Sequence, residues 1–215
     1  MSERPLVLWG ESNFESPYVF SAFVALREKR LGFEFKAMAL GKGEHRQGDY
    51  PAQSLTGRVP ALQHGDFWLA ESSAIAEYLE ELFPPPEYTP LYPAPMHQRA
   101  RARQIQAWVR SDLMPLRSER PTSTIFSGVK VAPLSEKAQP AVASLIRVGE
   151  ALISPGADYL FGTSFCIADA DLALMLQRLV ANGDPVPPTL KAYANRVWTR
   201  PSVEAWLEKA RKKTA

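Results

Sequence analysis

Hydrophobic positions in the first third of the chain follow a strand pattern, then a helical pattern, then a strand pattern again. The apolar run over residues 6–9, which Gly10 closes, predicts a short strand buried on both faces. Apolar residues recur at helical spacing over residues 17–30, and Gly32 follows as a stop signal. Residues 33–38 then alternate as a second strand. Because a helical crossover joins parallel strands, we expect a right-handed β-α-β unit.

A second group of elements follows the polar, glycine-rich residues 41–57, which we interpret as a loop with one short helix. Strand-like runs over residues 61–63 and 67–69 flank a Gly-Asp pair that is typical of a tight antiparallel hairpin. Residues 74–82 have an amphipathic helical pattern that Pro84 ends. The order β-α-β, loop, β-β-α predicts a thioredoxin-like α/β domain.

Prolines mark the clearest boundary in the chain. Six of them lie within residues 84–95, a stiff segment that cannot continue a helix or a central strand. Beyond it only helical patterns occur, over residues 97–117, 134–153, 167–181, 189–199 and 203–212. We therefore predict a thioredoxin-like domain over 1–83, a proline-rich linker over 84–95 and an all-α domain over 96–215.

Composition narrows the possible partners and the cellular compartment. With 215 residues, 46% of them hydrophobic, the chain can bury a sizeable core. The formal net charge is only +2, which supplies no electrostatic reason to bind nucleic acid or an anionic membrane. A single cysteine excludes an internal disulfide and a Cys-x-x-Cys redox pair. No apolar run is long enough for a membrane span and the first residues lack a secretory pattern, so we expect a soluble cytoplasmic protein.

Ser16 lies between the first predicted strand and the first predicted helix, directly before Pro17. Proline suits the first helical position, so Ser16 is a natural N-cap. Alternatively, its hydroxyl donates a hydrogen bond to a thiolate on a bound ligand, beside the positive end of the helix. A hydrolase nucleophile is disfavoured, because no Gly-x-Ser-x-Gly sequence surrounds Ser16 and no histidine has triad spacing.

Val59 and Pro60 directly precede the third predicted strand. X–Pro bonds are mostly trans in folded proteins, so the sequence alone favours a trans bond here. If the bond is cis, Val59 presents its backbone N–H and C=O to a ligand backbone, and Arg58 is placed to bind a carboxylate. The other interpretation is an ordinary strand start beside an exposed arginine.

Glu71, Ser72 and Ser73 precede the helix predicted from residue 74. Either serine can cap this helix, although no Glu or Gln stands three residues later to complete a capping box. Alternatively, Ser72 and the first backbone N–H groups of the helix bind a carboxylate, while Glu71 accepts a charge-assisted bond from an ammonium. A ligand that carries both groups on one carbon has an α-amino-acid end.

These motifs, in this order and spacing, resemble the cytosolic glutathione transferases. The resemblance is greatest to the serine-type classes, which are theta-like and phi-like, and among bacterial members to the YfcF group. It covers the whole chain, and the segment over residues 99–108 supports the closer group. The motifs that carry it are Ser16-Pro17-Tyr18, Gly57-Arg58-Val59-Pro60-Ala61-Leu62 and Glu71-Ser72-Ser73-Ala74-Ile75.

The resemblance implies the two-domain glutathione transferase fold, glutathione as co-substrate, a homodimer and no metal. Ser16 would hold the sulfur of glutathione as a thiolate. The second substrate would be a small electrophile, a disulfide or an organic hydroperoxide, so that conjugation and reduction both remain candidates. A double-bond isomerase is weaker, because the Ser-Ser-Cys motif of the zeta class is absent. The alternative from another class is a protein of this fold that binds ligands or stress-related partners without turnover.

The resemblance also assigns the remaining parts of glutathione to residues of this chain. Val59, before a cis proline, would pair with the cysteinyl backbone. Glu71 and Ser72 would hold the γ-glutamyl end, and Arg58 and His45 would reach the glycyl carboxylate. A solvated loop histidine is the other interpretation of His45.

One position departs from the family pattern. Members of the family usually begin a core helix with Ser or Thr three residues before an Asp, whereas here Cys166 precedes Asp169. Because cysteine is a poor cap, we expect Asp169 to bond backbone N–H groups alone or with help from Ser164. Cys166 itself is expected to be a small buried residue and not a nucleophile.

Four arginines form a stripe on the helix predicted over residues 97–117. At 3.6 residues per turn they fall within about 40° of one another. One interpretation is a solvated basic face, and the other is an electropositive cleft that attracts anionic glutathione. The arginines of this stripe are Arg99, Arg103, Arg110 and Arg117.

Overall fold

A four-stranded sheet forms in the N-terminal part of the chain. The computed structural model, which describes residues 4–214, places β1 at Leu6–Glu11, β2 at Glu34–Met38, β3 at Ala61–His64 and β4 at Phe67–Ala70. The strand order is β2-β1-β3-β4. β1 and β2 are parallel, and the other neighbours are antiparallel. The predicted parallel pair and the predicted hairpin are both confirmed. Residues 1–3, the beginning of the segment in which we expect no secretory pattern, lie outside the described residues.

Three α-helices complete this unit. α1 covers Pro17–Glu28, the single-turn helix α2 covers Tyr50–Gln53, and α3 covers Ser72–Leu82. Two 3₁₀ turns at Leu40–Lys42 and Glu44–Arg46 precede α2, so the segment predicted as a loop does contain a short helix. α1 is buried throughout its centre, because it packs against both β1 and α3.

A buried lysine attaches the start of the proline-rich segment to this unit. The side chain of Lys29 is fully buried, and its ammonium donates to the carbonyl oxygens of Phe83 at 2.7 Å and Thr89 at 3.1 Å. The same ammonium lies 2.7 Å from Glu80 Oε2, which also accepts the Leu91 N–H at 3.0 Å. The chain divides into two compact units directly after Leu91, within the segment that we predict as a linker.

The second unit is built from helices. α8 is buried along almost its whole length and forms the centre of the unit. Over the described residues no strand occurs after β4, which confirms the predicted all-α domain. Nor is any helix within residues 4–214 both long enough and apolar enough to cross a bilayer. The helices are α4 (Met96–Ser111), α5 (Met114–Glu119), α6 (Ser123–Phe126), α7 (Gln139–Leu152), α8 (Ile167–Val180), α9 (Pro188–Trp198) and α10 (Pro201–Thr214).

Two predicted helices of this unit have the wrong bounds. The helix predicted over residues 97–117 is broken after Ser111, where Leu113 has a positive φ of 62°. Asp112 causes the break locally, since its carboxylate accepts the Leu113 N–H at 2.6 Å and the Trp108 indole N–H at 3.1 Å. The helix predicted over residues 134–153 begins only at Gln139, with Pro140 in its first turn.

Asp169 anchors the start of α8 by accepting three hydrogen bonds. The N–H groups of Cys166 and Leu160 and the hydroxyl of Tyr193 each donate at 2.8 Å. The expected backbone bonds are therefore confirmed, but the hydroxyl comes from Tyr193 and not from Ser164. Cys166 is buried, as predicted, and burial together with the Asp169 charge raises the pKa of its thiol.

Arg110 does not belong to a solvated stripe. Its guanidinium lies 3.0 Å from Asp171 Oδ2 and donates to the Gln106 carbonyl at 2.9 Å, and Gln106 Nε2 donates to the same Asp171 oxygen at 2.8 Å. Arg117 donates to the Arg110 carbonyl at 2.8 Å. Both interpretations of the stripe are wrong for Arg110, because Asp171 already neutralises its charge inside the helical unit.

Candidate functional site

Ser16 is the N-cap of α1. Its Oγ accepts the Val19 N–H at 3.2 Å, and Pro17 occupies the first turn as predicted. The N-cap interpretation is therefore confirmed. A hydroxyl that accepts one hydrogen bond still has its own O–H to donate, so the cap and a bond to a ligand are compatible.

Glu11, at the end of β1, supports the segment that carries Ser16. Its Oε1 accepts the Ser16 N–H at 2.8 Å and also the Glu15 N–H. The residue is only 6% exposed, and its Oε2 is buried without a hydrogen-bond partner among the described residues. Burial raises the pKa of this carboxyl, and the charge of Glu15 adds to the rise, whereas the backbone hydrogen bonds oppose it. Glu11 was not predicted as a site residue. The sequence signal that could have identified it is an acidic residue at the end of an apolar strand.

The peptide bond between Val59 and Pro60 is cis, as the resemblance implies and against the preference of the sequence alone. The hydroxyl of Tyr50 donates to the Arg58 carbonyl at 2.8 Å and so fixes the residue before Val59. Within the described part of the chain, no hydrogen bond uses the backbone N–H or C=O of Val59. Its backbone therefore remains available to pair with a ligand.

Tyr50 was not predicted as a site residue. It is buried in a small cluster with Met38 and Ala61, and its ring contacts those of Trp9 and Trp68 at centroid distances of 5.7 and 6.0 Å. Burial raises the pKa of Tyr50 to about 12, so its hydroxyl is protonated at neutral pH and can donate. No signal in the sequence marked this position, because the residues next to Tyr50 are polar or small and its aromatic partners are distant along the chain.

Glu71 directly precedes α3 and has an unusual backbone conformation, with φ 70° and ψ 115°. The helix begins at Ser72, and its first hydrogen bond runs from the Ile75 N–H to the Glu71 carbonyl at 2.9 Å. Neither Ser72 nor Ser73 is the N-cap, so the interpretation of these serines as caps is wrong. Positive φ at a residue other than glycine is costly and is concentrated at binding sites, which favours the functional interpretation.

His45 lies in the second 3₁₀ turn. The Nε of Arg46 donates to His45 Nε2 at 3.2 Å, so a neutral imidazole here carries its proton on Nδ1. That Nδ1 is buried and has no hydrogen-bond partner among the described residues. A donor without a partner is consistent with the carboxylate-binding role that the resemblance implies.

Strand register brings these segments to one end of the sheet. Ala61, which begins β3, pairs with both Trp9 near the end of β1 and Ala70 at the end of β4. Glu11 at the end of β1 pairs with Met38 at the end of β2. The segments that follow β1, β2 and β4 and the segment that precedes β3 therefore leave the sheet at the same end.

Each of these segments carries one group of predicted residues. Ser16 follows β1, His45 follows β2, Arg58 and Val59 precede β3, and Glu71 with Ser72 follows β4. The end of the sheet thus combines a hydroxyl, an unpaired peptide edge, cationic and imidazole donors and a helix start beside a carboxylate. Among residues 4–214, no three His, Cys, Asp or Glu side chains are grouped as a metal site would require.

Comparison with known proteins identifies relatives over the whole length of the chain. Residues 15–82 match the family model described as glutathione S-transferase, N-terminal domain, and residues 95–212 match the one described as glutathione S-transferase, C-terminal domain. Glutathione S-transferase 3 of Zea mays is 33% identical over 211 residues, which are 95% of this chain and 88% of that protein. Maleylacetoacetate isomerase of Dictyostelium discoideum is 30% identical over 190 residues, 85% of this chain and 82% of its own.

A solved structure is similar at higher identity. A glutathione transferase homologue from Burkholderia with bound glutathione is 45% identical to this chain and superposes with a TM-score of 0.81. The match covers 97% of this chain and 99% of that one. The relatives and the solved structure thus agree with the two family models.

Proposed function

This chain belongs to the glutathione S-transferase family, and we propose that Ser16 donates a hydrogen bond to the thiolate of glutathione in its active site. The observation that carries the proposal is the position of the Ser16 hydroxyl at the start of α1, held by the Val19 N–H with its own proton left to donate. Two sources of stabilisation then act on a thiolate placed there, namely the O–H group and the positive end of a twelve-residue helix.

The magnitudes are sufficient without a proton-abstracting base. A thiol with a pKa of about 8.5 is mostly protonated at neutral pH, and lowering that pKa by two units corresponds to about 2.7 kcal/mol. A hydrogen bond to a charged group contributes roughly 1.5–3 kcal/mol and a helix N-terminus roughly 0.3–1 kcal/mol. The hydrogen bond and the helix N-terminus together contribute roughly 1.8–4 kcal/mol, a range that includes the value of about 2.7 kcal/mol needed to lower the pKa of the thiol by two units.

The rest of glutathione fits the other segments at this end of the sheet. The unpaired backbone of Val59 pairs with the cysteinyl N–H and C=O. Glu71 binds the γ-glutamyl ammonium, while Ser72 and the start of α3 bind the carboxylate on the same carbon. Arg58 and the Nδ1–H of His45 bind the glycyl carboxylate at the opposite end of the peptide.

Such a thiolate supports two kinds of reaction. It can attack an electrophilic carbon and form a thioether, or it can attack a disulfide or an organic hydroperoxide. In disulfide reduction, the first glutathione thiolate forms a mixed disulfide with the substrate and displaces one substrate thiol. A second glutathione thiolate then attacks the glutathione sulfur of the mixed disulfide, which displaces the other substrate thiol and leaves glutathione disulfide. Cys166 is buried, so both thiols in our proposal come from glutathione. We further propose that the protein acts as a cytoplasmic homodimer, as its resemblance implies.

The test compares wild type with Ser16→Ala in three assays with glutathione, using 2-hydroxyethyl disulfide, an organic hydroperoxide and a model aryl halide. Ser135→Ala is the matched control, since that exposed hydroxyl bonds Glu119 in the helical unit. We expect turnover of at least one substrate, lost in Ser16→Ala and kept in Ser135→Ala. If the wild type turns over none of the three, the enzyme proposal is wrong, and glutathione binding without turnover would favour a ligand-binding protein.

A further inference from the structure

Glu11 holds the two peptide N–H groups that lead into α1. One carboxylate oxygen accepts both the Glu15 N–H and the Ser16 N–H, the latter at 2.8 Å. The side chain of Ser16 is also bonded to the helix, because its Oγ accepts the Val19 N–H at 3.2 Å. The orientation of the Ser16 hydroxyl thus depends on two attachments, one to the strand before it and one to the helix after it.

Burying this carboxylate has a cost that an ordinary structural role would avoid. Glu11 is 6% exposed, its Oε2 is buried without a partner among the described residues, and it lies close to the like charge of Glu15. A buried charge with an unsatisfied oxygen destabilises the folded state. A glutamine at this position would offer an equivalent acceptor oxygen without the charge. Costly polar groups of this kind are characteristic of functional sites.

We infer that Glu11 is a positioning residue for Ser16, because its carboxylate fixes the Glu15–Ser16 backbone and thereby aims the Ser16 hydroxyl at the sulfur of glutathione. This inference rests on the proposed role of Ser16. Without the attachment, the peptide before α1 is free to rotate, and the hydroxyl spends part of its time turned away from the sulfur. The bound thiol then ionises less readily, while the groups that bind the remainder of the glutathione molecule are unchanged.

The experiment measures the ionisation of bound glutathione directly. The ultraviolet absorbance of the thiolate is recorded against pH for saturated wild-type protein and for Glu11→Ala, Glu11→Gln and Ser16→Ala. Glu119→Ala is the control, because Glu119 also accepts a backbone N–H, that of Ser135, but lies in the helical unit. The kcat and the KM for glutathione, and the unfolding midpoint, are measured on the same proteins.

We expect Glu11→Ala to raise the pKa of the bound thiol and to lower kcat near neutral pH roughly fivefold, the effect of losing about one hydrogen bond. KM for glutathione should change much less. Glu11→Gln keeps an acceptor oxygen, so the thiol should ionise as in wild type or slightly more readily, since a nearby negative charge is gone. Glu119→Ala should change only the unfolding midpoint.

The outcomes separate this inference from the proposed function. If Ser16→Ala raises the thiol pKa but Glu11→Ala does not, the positioning role is wrong and the role of Ser16 stands. If Ser16→Ala leaves the thiol pKa unchanged, the proposed role of Ser16 is wrong as well. If Glu11→Ala does not fold, Glu11→Asp takes its place, because its shorter side chain cannot reach both N–H groups. A raised thiol pKa in Glu11→Gln would also overturn the inference.

Discussion

The hydroxyl of Tyr50 lies 2.8 Å from the carbonyl oxygen of Arg58 and joins the core of the sheet unit to the segment that enters β3. Tyr50 is itself held by the rings of Trp9 and Trp68. The position of the Val59 backbone, which we propose pairs with glutathione, therefore depends on a residue that has no expected contact with the ligand.

Tyr50→Phe removes this hydrogen bond and keeps the aromatic ring. We expect the free energy of unfolding to fall by about 1–2 kcal/mol, since a partly buried carbonyl loses its partner. KM for glutathione should rise several-fold, with a smaller change in kcat. Tyr78→Phe is the matched control, because the Tyr78 hydroxyl pairs with His64 Nδ1 at 2.8 Å, where β3 ends. An equal KM effect in both variants would contradict a specific role for Tyr50.

Glu71→Gly should separate stability from binding. Glycine adopts the positive φ of 70° without strain, so we expect the free energy of unfolding to rise by about 1 kcal/mol. KM for glutathione should increase by about tenfold, because the partner of the γ-glutamyl ammonium is lost. Denaturant titration and steady-state kinetics measure the two effects.

Two further variants control the Glu71 experiment. Glu71→Gln keeps the strained backbone and loses the charge, so KM should rise without a gain in stability. Arg30→Gly relieves a positive φ of 56° after α1, and stability should rise with no change in KM. A Glu71→Gly protein that binds glutathione as tightly as wild type would contradict the ammonium-binding role.

Arg110→Met leaves the Asp171 carboxylate buried without its cation. We expect the free energy of unfolding to fall by roughly 3 kcal/mol, the lower end of the range for a broken buried pair, since Gln106 still donates to Asp171. Adding Asp171→Asn should recover part of this loss by removing the charge. Arg103→Met, which removes an exposed guanidinium 5.8 Å from the Tyr92 ring centroid, should cost about 1 kcal/mol or less. Similar losses of unfolding free energy in Arg110→Met and Arg103→Met would contradict a stabilising role for the ion pair between Arg110 and Asp171.

The raised pKa of Glu11 predicts how stability depends on pH. Because the folded state holds this proton more tightly than the unfolded state, stability falls as pH rises from the ordinary glutamate pKa through the raised pKa. Glu11→Gln does not titrate, so its free energy of unfolding relative to wild type should increase over that interval and then stay constant. Urea titrations at a series of acidic to neutral pH values measure the difference; a difference that is independent of pH would contradict the shift.

Cys166→Ser should improve the start of α8. Cys166 forms a capping box with Asp169 at the start of α8, but its sulfur is only a weak hydrogen-bond acceptor. Serine at the same N-cap position should therefore add about 0.5–1 kcal/mol. Turnover with glutathione should be unchanged, because the thiol is buried with a raised pKa. Thermal unfolding measures the gain, and Cys166→Ala, which offers no cap, provides the comparison. Loss of disulfide reduction in Cys166→Ser would instead give this thiol a role in catalysis.

The elements that could be predicted from the sequence are those that local patterns determine. Periodicity located α1 and α3, and the Gly65-Asp66 pair located the hairpin, because these signals lie within a few residues of one another. The break at Asp112 was missed, since a carboxylate that bonds the next N–H leaves the apolar pattern of the helix unchanged. The same limit hid α6, which covers only four residues.

Motifs in the sequence marked the segments that meet at one end of the sheet, those of Ser16, Val59 and Glu71, and their contacts with glutathione stay a prediction. The supporting residues of the candidate site were not predicted, because Glu11 and Tyr50 act through contacts that only the folded chain creates. Burial of the Glu11 carboxylate depends on the strands and the helix around it. Local sequence patterns do not specify which elements pack together in this way. Capping was one interpretation of the two serines before α3, yet the helix begins one residue earlier than a Ser72 cap requires and two residues earlier than a Ser73 cap requires.

The carbonyl groups that Lys29 holds have a practical consequence for dividing the protein into fragments. A fragment that stopped at Leu82, where α3 ends, would lack both the Phe83 and Thr89 acceptors and also the Leu91 N–H that Glu80 binds. A fragment that continued to Leu91 would retain all three. Residues 83–91 therefore complete the fold of the sheet unit. A cut made in front of them would expose the buried Lys29 ammonium together with the Glu80 carboxylate.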